Sequence, residues 1–94
     1  MRPALVAASV AVLLIAGCAE APAGRAVVTG AGSDLLKLRA GPGLGYRILL
    51  GLPDGTVVHR RGCVTEEGQR WCRVSLADAP GMRGFVSDDY LRDR

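Results

Sequence analysis

Two cysteines nine residues apart, Cys63 and Cys72, constrain this chain more than any other feature. Between them runs Val64-Thr65-Glu66-Glu67-Gly68-Gln69-Arg70-Trp71, and the central Glu67-Gly68 suits a two-residue hairpin turn. With that turn in place Cys63 stands directly opposite Cys72. Opposed residues of an antiparallel pair have Cα atoms about 4.5–5.5 Å apart, within the span a disulfide bridges. Closing so short a loop stabilises a fold by about 2–3 kcal/mol, a large share for a chain of 94 residues. A metal site with His59 as third ligand is the competing use of the pair. It lacks a C-x-x-C spacing, and His59 is the only histidine in the chain. No metal and no cofactor is expected.

A disulfide calls for an oxidising compartment, and the N-terminus supplies a route to one. Arg2 is followed by an apolar run from Ala4 to Ala16, too short to span a bilayer as a helix. The run ends in Ile15-Ala16-Gly17-Cys18, which resembles the lipobox of bacterial lipoproteins. The resemblance implies that residues 1–17 are a signal peptide and that the Cys18 thiol carries a diacylglycerol, leaving Cys18 as the mature N-terminus. The odd count of three cysteines is then resolved, with Cys18 acylated and Cys63 and Cys72 paired. Ala21-Pro22-Ala23 offers an alternative site for an ordinary signal peptidase. By the sorting rule of such lipoproteins, Ala19 after the cysteine leans toward the outer membrane rather than the inner one. Much of the 49% apolar content sits in this leader, so the exported part is ordinary in composition.

From Ala19 to Ser33 the chain is rich in Ala, Gly and Pro, which reads as a flexible linker over 18–33, with Ala26-Val27-Val28-Thr29 as a possible edge strand. Residues 34–94 alternate short strand-like runs with turn signals and hold no long segment of helical period. Leu36 and Leu38 alternate with Lys37 and Arg39, and a loop follows at Gly41-Pro42-Gly43-Leu44-Gly45. Ile48 to Leu52 stops at the turn Pro53-Asp54-Gly55. Three more runs follow: from Thr56 into the cysteine hairpin, from Trp71 to Leu76, and from Arg83 to Ser87. Asp88-Asp89 caps a short terminal turn through Tyr90 and Leu91. The expected fold is all-β, a small barrel of about five short strands.

These pieces resemble the bacterial SH3 (SH3b) family over about 58 residues. The resemblance rests on Leu36-Lys37-Leu38-Arg39-Ala40-Gly41-Pro42-Gly43, Tyr46, Pro53-Asp54-Gly55-Thr56, Trp71 with Val74, Gly84-Phe85-Val86 and Tyr90-Leu91. Phe85 stands where the family usually has Trp, and Arg60 where an apolar strand residue is common. The resemblance implies an SH3-like barrel and a non-catalytic binding module. Its partners would be peptidoglycan stem peptides or cross-bridges, or alternatively an envelope protein for which it acts as an adaptor.

The candidate ligand-binding residues are the four aromatics Tyr46, Trp71, Phe85 and Tyr90, with Arg39 as a carboxylate contact. If Cys72 and Val74 point inward, alternation sends Trp71 to the opposite face, and an inward Val86 does the same for Phe85. Arg60 and Arg61 are further candidates for a carboxylate. Charge argues against nucleic acid: the formal charge is +3, and loss of Arg2 with the leader weakens it further. Catalysis finds no support either. No serine has a base in a recognisable constellation, and the disulfide consumes both remaining thiols.

Overall fold

The computed structural model describes residues 24–94; the expected signal peptide at 1–17, Cys18 and the first part of the linker lie outside that range. Seven strands follow one another: β1 (Gly24–Val28), β2 (Leu36–Arg39), β3 (Ile48–Leu52), β4 (Val57–Glu66), β5 (Gln69–Leu76), β6 (Arg83–Ser87) and β7 (Leu91–Asp93). Single 3-10 turns at Gly32–Asp34 and Asp88–Tyr90 are the only helical pieces among the described residues. The strands form one sheet in the order β3-β2-β6-β5-β4-β1-β7, with antiparallel pairing throughout.

The sheet is rolled up. Leu52 of β3, at one end of the strand order, shares a buried cluster with Ala26 and Val28 of β1, near the other end. At about 4.8 Å per strand a flat sheet would hold them more than 20 Å apart. Leu36, Leu38, Val58, Cys72, Val74 and Val86 complete this core. In β2 the alternation read from sequence holds, Leu36 and Leu38 being buried and Lys37 and Arg39 half-buried. β6 comes so close to β2 that a Cβ on Gly84 would stand 2.5 Å from the Arg39 carbonyl oxygen.

The cysteine hairpin forms in the expected register, with Cys63 opposite Cys72, Val64 opposite Trp71 and Glu66 opposite Gln69. Its turn residues Glu67 and Gly68 both have positive φ, 53° and 81°. That pair of angles matches the twist of the flanking strands, which is why an X-Gly pair closes such hairpins. Cys63 and Cys72 are joined in a disulfide.

Two expectations are corrected. About five strands were read and there are seven, because β1 and β7 were not counted as strands. The linker expected over 18–33 does not extend through its second half: Gly24–Val28 is β1, inserted between β4 and β7 rather than at an edge. Ala26 and Val28 are fully buried there. Beyond β1 the chain is pinned again, since the Asp54 carboxylate accepts the backbone N–H groups of Ala31 and Gly32 at 2.9 and 3.1 Å.

Arg60 also departs from its expected role as a surface carboxylate contact. It is buried on β4 and pairs with Asp88 at 3.1 Å and with Asp93 of β7. A charge at a position where apolar residues are common is thereby matched by carboxylates of the same chain, the condition under which a buried guanidinium is tolerable.

Candidate functional site

Trp71 lies on β5 between exposed Arg70 and inward-facing Cys72. Cys72 and Val74 enter the core, so alternation turns Trp71 to the other face of the sheet, as the sequence implied. It is nonetheless only 4% exposed. The long loop after β2 and the turn before β7 flank it there, and what remains accessible of Trp71 lines two adjoining hollows of about 600 and 310 Å³.

The larger hollow is walled on one side by the loop 42–46, including Tyr46 and Leu44, and on the other by Ser87, Asp89 and Tyr90. Its far end is the tip of the β4–β5 hairpin, with Glu66, Glu67 and Gln69. Tyr46 is 51% and Tyr90 38% exposed, so two aromatic walls stand above the nearly covered indole. The Tyr46 ring lies against Gly41, where a Cβ would meet it at 2.4 Å. A larger residue at Gly41 would push the ring off the loop.

Several contacts hold this geometry. Arg39 Nη1 donates to the carbonyl oxygens of Leu44 at 3.1 Å and Tyr46 at 3.0 Å, tying the loop back to β2. Lys37 Nζ donates to the carbonyls of Asp34 and Leu35, the latter at 2.9 Å. Ser87 caps the terminal turn by accepting the Asp89 N–H at 3.3 Å, and it accepts Gln69 Nε2 at 2.9 Å. The cap is therefore Ser87, with Asp88 and Asp89 in the first turn rather than capping it.

Three of the four candidate aromatics, Tyr46, Trp71 and Tyr90, meet in the larger hollow. Phe85 does not. It lies two residues back along β6, in a separate hollow with Arg61 and Val64, and the Arg73 guanidinium sits 5.8 Å from its ring centroid in cation–π range. Arg39 lines the smaller hollow, with its Nη1 group committed to the loop carbonyls. The acidic residues Glu66, Glu67 and Asp89 were not among the ligand contacts expected from sequence. Two of them could have been, because the hairpin turn that pairs the cysteines also fixes Glu66 and Glu67 at the tip beside Trp71.

Cys63, Cys72 and Asp88 draw together, Cys72 Sγ being 3.3 Å from Asp88 Oδ1. Both sulfurs are spent in the disulfide, which leaves no thiolate to bind a cation. Asp88 instead answers Arg60 and, at 3.4 Å, Arg70. An aromatic groove with a polar rim is suited to holding a ligand.

No curated protein and no solved structure matches the chain. A family model, described as bacterial SH3 domain, matches residues 34–92. Domains of that family are binding modules for the cell wall or for other proteins and occur in extracellular and cell-envelope proteins. On the match and the all-β fold together, the chain belongs to the bacterial SH3 domain family.

Proposed function

We propose that this protein is a lipid-anchored, non-catalytic module of the cell envelope that recognises peptidoglycan peptide through the groove over Trp71. The observation that carries the reading is convergence. Tyr46 from the loop after β2, Trp71 from β5 and Tyr90 from the terminal turn lie far apart in sequence yet line one hollow. Flat aromatic faces bound a peptide-sized space there, the arrangement by which small modules grip an extended chain. The Cys63–Cys72 disulfide accords with export, and Cys18, outside the described residues, stands in a lipobox-like setting. Two or more acyl chains hold a protein firmly to a membrane surface.

Co-sedimentation of the mature protein, kept in mild detergent, with protein-free sacculi tests the groove. Wild type is expected in the pellet, and Tyr46→Ser is expected to bind roughly tenfold or more weakly, the loss typical of an aromatic anchor. Tyr46 is half-exposed, so its removal opens no core cavity. Absence of wild-type binding would turn the reading to a protein adaptor. The anchor has its own check: intact mass of membrane-extracted protein should show an acylated chain beginning at Cys18, and a chain beginning at Gly24 would dismiss it.

A further inference from the structure

The groove carries an unbalanced charge. Glu66, Glu67 and Asp89 line the larger hollow, and no Lys or Arg lines it, although the whole chain is net basic. Arg39 and Lys37, which line the adjoining hollow, donate to backbone carbonyls, and Arg70 pairs with Asp88. By charge the larger hollow suits a cation, while Arg39, expected from sequence as a carboxylate contact, lines the adjoining one.

Carboxylates set beside aromatic faces make a site for a cation, since ring quadrupole and full charge attract the same ligand. A second observation concerns Trp71. Although it is 4% exposed, its indole N–H makes no hydrogen bond with another described residue, and the residue surfaces in the groove. A donor so placed suits a carbonyl acceptor on the ligand.

We infer that the groove binds a cell-wall peptide through a free primary ammonium, held by Glu66, Glu67 and Asp89 against the Tyr46 and Tyr90 rings, with a neighbouring peptide carbonyl at Trp71. This rests on the wall-binding reading above and names the group recognised. Wall peptides carry such an amine on their diamino acid. A cross-link converts it to a neutral amide, so the groove selects peptides that have not been cross-linked.

The test uses the mature protein in mild detergent and three preparations of sacculi: untreated, N-acetylated, and reductively dimethylated. Acetylation removes the positive charge, whereas dimethylation keeps it and adds bulk. Binding is expected to fall roughly tenfold or more on acetylated sacculi and to persist on dimethylated ones, the loss expected when an ammonium gives up its aromatic and carboxylate contacts. A Glu66→Gln/Glu67→Gln/Asp89→Asn variant, checked for an unchanged melting curve, should bind untreated sacculi as weakly as wild type binds acetylated ones. Undiminished binding to acetylated sacculi would overturn the ammonium and leave the wall reading standing. No binding to untreated sacculi would overturn both and give the groove to a protein partner.

Discussion

Trp71→Ala should cost about 3–5 kcal/mol of stability, the range for emptying a buried aromatic site. A small domain holds a total near the low end of the usual 5–15 kcal/mol, so this variant stands close to unfolding at ambient temperature. Urea titration followed by far-UV circular dichroism would read the effect, since Trp71 is the only tryptophan and its fluorescence leaves with it. The reason is the position of the side chain. It points away from the core, yet the loop after β2 and the turn before β7 flank it and leave it 4% exposed. A loss below about 1 kcal/mol would show that these segments do not pack on the indole as described. The consequence for binding work is direct: alanine at this site confounds affinity with folding. Tyr46, half-exposed at the rim, is the position at which the two separate.

Reduction of the Cys63–Cys72 bond, or Cys63→Ser with Cys72→Ser, should lower stability by about 2–3 kcal/mol. For a domain of this size that corresponds to a fall of roughly 10–20 °C in Tm. Differential scanning calorimetry with and without reductant measures it. Neither cysteine should take up a thiol label until reductant is added, because the bond is formed in the native chain. Cys72 is fully buried, so labelling of its reduced form should lag behind that of half-buried Cys63. An unchanged Tm would mean that the register of β4 against β5 is carried by the ladder and the Glu67-Gly68 turn alone.

How much of this was legible before the structure depended on how local each signal was. The cysteine hairpin was readable from its tip to Gly62 opposite Arg73, since a two-residue turn fixes those opposed pairs; beyond it a bulge shifts the register so that Arg60 faces Val74. The alternation of β2 and the ends of β3 were readable for the same reason. β1 was not. Gly24-Arg25-Ala26-Val27-Val28 emerges from a stretch of Ala, Gly and Pro, and what makes it a strand is distant: β4 on one side and β7 on the other. β7 itself is three residues long, too short to carry a period.

The site shows the same division. Alternation placed Trp71 on the correct face, but its burial comes from segments some thirty residues earlier and twenty later in the chain, which no local pattern encodes. Tyr46 and Tyr90 joined it as expected, whereas Phe85, on the same face of the neighbouring strand, came to rest under Arg73. Arg39 was legible as a residue of the glycine-rich loop region, but its hold on the loop carbonyls was not. Whether a guanidinium faces a ligand or its own backbone depends on where the loop carbonyls turn, and here those of Leu44 and Tyr46 turn toward it.

The insertion of β1 between β4 and β7 also decides how the domain would bear force. Tension applied from the N-terminal side enters the fold at Gly24, the first residue of a strand hydrogen-bonded along both flanks. Two ladders share that load from the outset, and Ala26 and Val28, sunk in the core, must be dragged out of it before the strand can leave. An edge strand would unzip one bond at a time. A tether on this side would pull on a strand held from both flanks rather than on a free edge.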